Sequence, residues 1–164
     1  MTSPSAAARP RIVIIGCGFG GLEAARALRV AAVDVTLVDK TNHHLFQPLL
    51  YQVATAGLSA PAIAAPIRHL FRQQGNVRTL LGHVTGIDAG ARTVVLEDGT
   101  VLPWDHLIVA AGATHSYFGR DDWARFAPGL KTLDDAFEIR RRILLAFEAA
   151  ENEPDAAQRD AWLT

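Results

Sequence analysis

A short segment near the N-terminus constrains the fold more strongly than any other feature of the chain. Four β-branched apolar residues, Ile12–Ile15, are followed at once by the glycine-rich run Gly16–Gly21 and then by an alanine- and leucine-rich stretch that ends at Leu28. A continuous apolar run of this kind is typical of a buried parallel strand. The sequence therefore predicts a strand that turns sharply into a helix starting near Gly20.

The spacing of the glycines in this turn is G-x-G-x-x-G, and each position has its own physical requirement. Gly16 permits a tight turn, Gly18 allows the backbone to approach a pyrophosphate, and Gly21 allows the helix to pack closely on the strand. The helix N-terminus offers amide donors and the positive end of its dipole to an anion. A glycine-rich turn occurs in many α/β proteins, but a strand before it and a helix after it favour a dinucleotide site.

An acidic residue completes the motif. Asp39 follows a second predicted strand, Val35–Asp39, and lies 23 positions after Gly16. A carboxylate at this place accepts hydrogen bonds from ribose hydroxyls and repels a 2′-phosphate. The acid therefore favours FAD or NAD over NADP, although Lys40 beside it weakens the exclusion.

Size, charge and cysteine content limit the possible functions. The 164 residues suffice for one domain with its own core but not for two nucleotide-binding domains. With 16 basic and 17 acidic residues, the chain has no charge excess that would favour nucleic acid as a partner. The only cysteine, Cys17, excludes an intramolecular disulfide and favours a reducing compartment. We interpret Cys17 as a small residue that fits the turn, in preference to a reactive thiol beside a flavin.

Two segments lack the periodic pattern of a helix or strand: the N-terminal residues and an uncharged stretch after Asp39. Residues 1–10 are rich in Ser, Ala and Pro and lack the apolar segment of a secretory signal, so we expect a flexible tail. The stretch Thr41–Ile67 contains no Asp, Glu, Lys or Arg, but three prolines and a glycine interrupt it. It is therefore not a transmembrane helix, and we expect it to cover an apolar ligand or to pack into an interface.

The remaining pattern predicts the fold class. Short β-type runs at Val77–Val84, Thr93–Glu97 and Val101–Leu102, separated by turn signals, predict an antiparallel meander. A further apolar run, His106–Ala110, ends at a second glycine turn, and we expect it to rejoin the sheet beside the first strand so that both turns face one crevice. The sequence thus predicts an α/β fold: a Rossmann-type parallel sheet with an antiparallel β-meander insertion.

Helical patterning dominates the last part of the chain. A helix is predicted over Thr132–Glu151, capped by Thr132 with Asp135, and a shorter helix over Asp155–Leu163. In the longer helix, apolar residues recur at helical spacing and predict a buried stripe at Ala136, Ile139, Ile143, Phe147 and Ala150. The arginines at 140–142 could bind phosphate, but nearby glutamates favour a solvated helix face.

Two further segments carry a resemblance to a known family. The segment after the acid reads TNHHLFQPLLYQVATAG from Thr41 to Gly57, and the second glycine turn reads LIVAAGATHSYFG from Leu107 to Gly119. Both closely resemble type II NADH dehydrogenases, the non-proton-pumping NADH:quinone oxidoreductases of the FAD-dependent pyridine nucleotide oxidoreductase superfamily. The His44–Tyr51 segment is the most specific part, and the resemblance spans residues from about Arg11 to Thr164.

The resemblance implies an FAD site whose members are distributed along the chain. Contacts to the pyrophosphate are implied for Gly16, Gly18, Phe19, Gly20 and Gly21, and contacts to the adenosine ribose for Asp39 and Lys40. The adenine would be contacted by the backbone of His83 and Val84. Ala111 and Gly112 would form the second flavin turn. The resemblance places Phe46–Ala54 near the isoalloxazine ring. No metal site and no catalytic side chain are implied, and the redox cysteine pair of related disulfide reductases is absent. His43 and His44 could tune a flavin, but we favour packing roles for both.

The resemblance also implies a domain plan and an activity. Residues 11–130 would form the first part of an FAD-binding domain, and residues 131–164 a helical connection toward an NADH-binding domain. The family transfers a hydride from NADH to FAD and two electrons to quinone without pumping protons. We therefore expect an incomplete chain of an enzyme located in the cytoplasm or, peripherally, on the cytoplasmic face of the inner membrane.

Several alternatives remain open from the sequence. Membrane contact is expected only through a C-terminal part beyond this sequence, and a homodimer is compatible with it. Another flavoprotein reductase of the same fold, such as a sulfide:quinone or ferredoxin-type reductase, is a second interpretation. A third is a non-catalytic FAD-binding or interaction module that uses Thr41–Ile67 as its partner surface.

Overall fold

The computed structural model describes residues 8–164, which form two compact units. The first unit comprises residues 8–44 and 65–113, and the second comprises residues 45–64 and 114–164. Most of the predicted flexible tail, residues 1–10, lies outside the described residues. The boundaries predicted between residues 10 and 11 and between 130 and 131 stay predictions.

A four-stranded parallel sheet forms the centre of the first unit. The bounds of its strands are Arg11–Ile15 for β1, Asp34–Asp39 for β2, Val77–Leu81 for β5 and His106–Val109 for β9. They stand in the order β5-β2-β1-β9, and every neighbouring pair is parallel. A helix over Phe19–Ala27, α1, connects β1 to β2. The predicted Rossmann-type α/β class is confirmed, and β9 lies beside β1 as expected.

Both faces of this sheet are covered, which explains the continuous apolar runs in its strands. On one face, Ile14 and Leu37 pack with residues of α1 and of a short helix over Ile67–Leu70, α3. On the other face, Val13 and Val38 pack with residues of the meander. Successive side chains of a strand point to opposite faces, so a strand buried on both sides needs apolar residues at every position.

The meander is antiparallel, as predicted, but it begins later than the sequence suggested. It consists of three strands, Val84–Asp88 (β6), Thr93–Leu96 (β7) and Val101–Pro103 (β8). The predicted run Val77–Val84 was wrongly assigned to the meander. Its first five residues are β5 of the parallel sheet, and only its last residue belongs to β6. Periodicity does not reveal this change of sheet, because β-type residues occur on both sides of it.

An ion pair joins the first residue of strand β1 to the residue that precedes strand β9. Arg11 at the start of β1 donates from its guanidinium and from its backbone N–H to the Asp105 carboxylate, with a shortest distance of 2.7 Å. These hydrogen bonds lower the pKa of Asp105 to about 2. Asp105 immediately precedes β9, so the pair fixes the strand that returns from the meander beside β1.

The second unit is mostly helical. Two short strands, His43–Leu45 (β3) and Ala64–Pro66 (β4), pair with each other at the two ends of segment 45–64. The helices of this unit are a 3-10 helix Gln47–Leu49, α2 Leu50–Ala54, a 3-10 helix Ala60–Ala62, a 3-10 helix Asp121–Arg125, α4 Leu133–Asn152 and α5 Ala156–Trp162.

The uncharged stretch Thr41–Ile67 supplies apolar residues to a core. Helices α2 and α4 share this core, in which Leu50, Val53 and Ala136 are buried. None of the helices in the described part of the chain combines the length and apolar character needed to cross a bilayer.

Helix α4 confirms the predicted cap but corrects the predicted stripe. The Thr132 hydroxyl accepts a hydrogen bond from the Asp135 N–H at 3.1 Å, and the Asp135 carboxylate accepts one from the Thr132 N–H at 2.9 Å. Within the stripe, Ala136 and Ala150 are buried, but Ile143 and Phe147 are 37% and 60% exposed. The expectation that the stripe is buried along its whole length is therefore wrong for these two positions.

A candidate dinucleotide-binding site

Two glycines of the turn are required by the packing of the protein itself. Gly16 has a φ of +96°, which favours glycine, and a Cβ there would overlap the backbone carbonyl of Ala110. A Cβ on Gly21 would overlap the carbonyl oxygen of Gly16. At these two glycines, β1, α1 and the end of β9 lie in close contact. This supports the predicted tight turn at Gly16 and the predicted close packing at Gly21.

Gly18 differs from both of these glycines. Its φ of −68° and ψ of −164° are open to any residue, and a Cβ would meet no protein atom within 4 Å. The described part of the protein therefore gives no steric reason for glycine at this position. A ligand that approaches the backbone closely would supply such a reason, and the pyrophosphate contact of Gly18 stays a prediction.

Helix α1 begins directly after Gly18. The helix starts at Phe19, and Gly18 is its N-cap residue, whose carbonyl accepts a hydrogen bond from the Leu22 N–H at 3.0 Å. Among the described residues, no side chain caps this end and no acid lies in its first turn. No side chain of α1 itself therefore neutralises the positive end of the dipole, and the amides of its first turn favour an anion.

The second glycine turn lies against the first. The Ala110 N–H donates to the Ile15 carbonyl at 2.8 Å, and Ala110 and Ala111 are the backbone neighbours that a side chain on Gly16 would meet. Gly112 follows with a φ of +73° and open space where its Cβ would stand. The end of β9 thus lies beside the first turn, as expected, whereas the prediction that both turns face one ligand stays a prediction. Whether Ala111 and Gly112 touch a flavin stays a prediction.

Asp39 lies at the end of β2, where it was predicted, and its carboxylate is hydrogen-bonded to other residues of the protein. One carboxylate oxygen accepts from the Cys17 N–H at 2.6 Å, and the other accepts from the N–H and hydroxyl of Thr41, both at 2.7 Å. A carboxylate offers about four acceptor positions, so it retains capacity for a ribose hydroxyl. The sequence motif predicts a ligand role for Asp39 but not its hydrogen bonds to the turn.

Beside Asp39, the protein surface contains a cavity of about 180 Å³. It is lined by residues at the ends of β2 and β5 and by residues around α3, among them Thr41, Arg68 and Thr79. Lys40 follows Asp39 directly and is exposed. The cavity thus adjoins the carboxylate that is expected to contact the ribose, and the adenosine contacts themselves stay predictions.

Cys17 occupies the centre of the turn and is 2% exposed. Burial, and secondarily the Asp39 charge, raise the pKa of its thiol to about 12. A thiol with such a pKa remains protonated at neutral pH and is a poor nucleophile. The structure therefore supports the interpretation of Cys17 as a small packing residue.

His44 is the residue whose contact with the turn the sequence argument missed. It is 8% exposed, and its Nδ1 lies 2.8 Å from the carbonyl oxygen of Cys17. Its ring also contacts the Phe19 ring edge to face, with centroids 5.3 Å apart. The neighbouring His43 instead contacts the Asn42 side chain. The only signal in the sequence was the position of this histidine pair shortly after the acid.

The predicted adenine contact at Val84 lies at the start of β6. Val84 pairs with Leu96, and the preceding carbonyl, of His83, accepts a hydrogen bond from the Glu97 N–H at 2.9 Å. A cavity of about 300 Å³ adjoins His83 and Glu97. The adenine role of Val84 stays a prediction, as does the flavin contact of Phe46–Ala54, which belongs to the second unit.

Comparison with known proteins assigns the family. The model of the pyridine nucleotide-disulphide oxidoreductases matches residues 10–146. The chain belongs to this family. It is 60% identical to the type II NADH:quinone oxidoreductase NdhA of Mycobacterium tuberculosis over 159 residues, which are 95% of this chain and 34% of the relative. The corresponding identity to Ndh of the same organism is 55%, with the same coverage of both chains.

A solved structure agrees with these relatives. NDH2 from Plasmodium falciparum in complex with NADH superimposes with a TM-score of 0.78 and 25% identity, over 92% of this chain and 32% of that chain. The resemblance to type II NADH dehydrogenases is thus confirmed for the residues present. The chain spans about a third of the length of the relatives that it matches.

Proposed function

We propose that the first unit binds FAD, with the pyrophosphate at the Gly16–Gly21 turn. The observation that carries this proposal is the open backbone at Gly18, between two glycines that the protein's own packing requires. Open space above an exposed helix N-terminus fits an anionic group that must come within contact distance of the backbone. The matching relatives support the same assignment.

The individual residues then have distinct roles toward the cofactor. The backbone of Gly18, Phe19 and Gly20, at the start of α1, donates to the phosphates. Asp39 accepts from the ribose while it holds the Cys17 N–H, and Lys40 lies beside it. Val84 contacts the adenine through its backbone, and Ala111 and Gly112 contact the cofactor from the second turn. These roles position and electrostatically stabilise the cofactor, and no described side chain of the first unit serves as a general base or nucleophile.

For the whole protein, we propose NADH:quinone oxidoreductase activity without proton pumping. When bound, FAD would supply hydride acceptance from NADH and two-electron transfer to a quinone. The names of the 60% and 55% identical relatives support this activity, and the NADH complex of the structural neighbour supports the donor. A peripheral position at the cytoplasmic face of the inner membrane fits this activity, and a homodimer is compatible with it.

The binding proposal is tested with a matched pair of variants, Gly18→Ala and Gly75→Ala. A Cβ would meet no protein atom within 4 Å at either position, but Gly75 lies in the turn before β5. Titration of the 164-residue chain with FAD, followed by flavin fluorescence, is expected to show affinity at least about tenfold weaker in Gly18→Ala than in the wild type, a loss of about 1.4 kcal/mol. Gly75→Ala is expected to bind like the wild type.

Thermal unfolding separates binding from folding in this experiment. Gly18→Ala is expected to be as stable as the wild type or more stable by about 0.4–1 kcal/mol, because alanine restricts the unfolded chain. A folded wild type that does not bind FAD contradicts the proposal. Equal FAD affinity of Gly18→Ala and the wild type would move the site away from this turn.

The redox proposal is tested by adding NADH anaerobically to the FAD-loaded chain. Bleaching of the visible flavin absorption means that these residues alone position the nicotinamide. An unchanged spectrum assigns nicotinamide binding to residues outside these 164.

A further inference from the structure

We propose that His44 is a positioning residue that fixes the Gly18 amide for the pyrophosphate, through the carbonyl of Cys17. This inference rests on the proposed FAD site and extends it to a side chain outside the glycine motif. It explains why a histidine from the strand β3 is buried against the turn.

The first step is the direction of the hydrogen bond. A carbonyl oxygen only accepts, so the His44 Nδ1, 2.8 Å away, must carry the hydrogen and donate it to the Cys17 oxygen. The ring is held in this orientation by burial and by its edge-to-face contact with Phe19. The Cys17 carbonyl is therefore directed toward His44.

The second step is the geometry of the peptide bond. The Cys17 C=O and the Gly18 N–H belong to one planar trans unit, in which they point in opposite directions. A fixed carbonyl thus fixes the direction of the Gly18 N–H, on the side away from His44. Gly18 is the position whose surroundings are open for a ligand, so its amide is directed before the ligand arrives.

The third step is that the other side of Cys17 is also held. The Cys17 N–H donates to the Asp39 carboxylate at 2.6 Å, which accepts in turn from Thr41. The Thr41 hydroxyl also lies 3.1 Å from the His43 carbonyl, next to His44 in the chain. Asp39, Thr41 and His44 therefore form a closed set of contacts around one residue of the turn. A preset turn binds its anion with a smaller ordering cost.

The test compares His44→Phe, His44→Asn and a control, His69→Phe. Phenylalanine retains an aromatic ring that can contact Phe19 but removes the donor, whereas the side-chain amide of the asparagine variant restores a donor near the position of Nδ1. His69 is exposed on α3 and pairs with Arg72 instead of the turn. FAD affinity is measured by fluorescence titration, and amide hydrogen exchange of Cys17 is measured without FAD, relative to Ile14 in β1.

We expect His44→Phe to weaken FAD binding roughly three- to tenfold, the range of one hydrogen bond, and to accelerate exchange at Cys17, whose N–H is hydrogen-bonded to Asp39, by a similar factor. His44→Asn is expected to recover most of both losses, and His69→Phe to match the wild type. A folded His44→Phe with wild-type affinity and wild-type exchange overturns the proposal. If His44→Phe does not fold, the inference is overturned when His44→Asn accelerates exchange equally at Cys17 and at Ile14.

The exchange measurement separates this inference from the proposed function. Faster local exchange in His44→Phe together with no FAD binding by the wild type supports the contact of His44 with the turn but overturns its role toward FAD. Wild-type exchange in a folded His44→Phe, combined with FAD binding by the wild type, retains the FAD site and overturns the positioning role.

Discussion

At the scale of single residues, the three glycines of one motif have different physical causes. Gly16 and Gly21 are required because β1, α1 and the end of β9 approach one another, whereas Gly18 faces open space. The motif predicted the tight turn at Gly16 and the close packing at Gly21, because strand, turn, helix and acid occur at fixed spacing, whereas the ligand role of Gly18 stays a prediction. It could not predict the hydrogen bond between His44 and Cys17, which joins residues 27 positions apart in the chain.

Gly21→Ala is expected to destabilise the first unit by about 1–3 kcal/mol. Its methyl group would overlap the Gly16 carbonyl, and backbone must move to accommodate it. Gly20→Ala is the matched control, because its Cβ would make only an ordinary contact, 3.8 Å from the Ala110 Cβ. Urea unfolding measures both variants. Equal stability of the two variants would show that α1 does not pack on the turn as described.

The thiol of Cys17 is expected to resist labelling by a thiol reagent at a mildly alkaline pH in the folded chain. Burial and the Asp39 charge raise its pKa from 9.0 to about 12, so folding favours the protonated form. The corresponding stability is fully present below pH 9 and is lost as the pH rises toward 12. Labelling rates in the presence and absence of urea test this, and a rate in the native protein equal to that in urea would contradict it.

At the scale of elements, local sequence predicted the strands and helices but not every partner. The run Ile12–Ile15 is buried on both faces of the sheet, and its apolar continuity revealed this. The run Val77–Val84 changes sheet after Leu81, where β-type residues continue on both sides. Helical spacing predicted α4 well, but periodicity cannot tell which part of an apolar stripe a neighbour covers, as Phe147 shows.

The cap of α4 gives a prediction at this scale. Thr132→Ala removes the hydroxyl that accepts from the Asp135 N–H and is expected to cost about 1 kcal/mol of unfolding free energy. Thr164→Ala is a control at the last residue, where the hydroxyl only contacts the Asp160 carbonyl. Denaturant unfolding followed by circular dichroism measures both. A cost for Thr132→Ala no larger than that for Thr164→Ala would exclude a contribution of the capping box.

At the scale of the whole molecule, the family and the first unit followed from the sequence, whereas the packing of the second unit did not. The glycine motif predicted the sheet and the ligand class, and the HHLFQPLLYQ segment carried the resemblance to type II NADH dehydrogenases. That segment has no simple periodicity, and its core residues Leu50 and Val53 share a cluster with Ala136, which lies far along the chain. Packing between residues that are distant in the sequence leaves no pattern in the local sequence, so it could not be predicted.

A ¹⁵N-resolved amide spectrum, recorded while the chain is titrated with FAD, shows which residues lie at the binding site. We expect the largest shifts at Gly18, Gly20 and Gly112, with Cys17 and Val84 affected as well. The glycines of distant turns, Gly75 and Gly99, are predicted to stay unchanged. Saturable shifts confined to other residues, with the Gly16–Gly21 turn unaffected, would contradict the assignment of this turn as the FAD site.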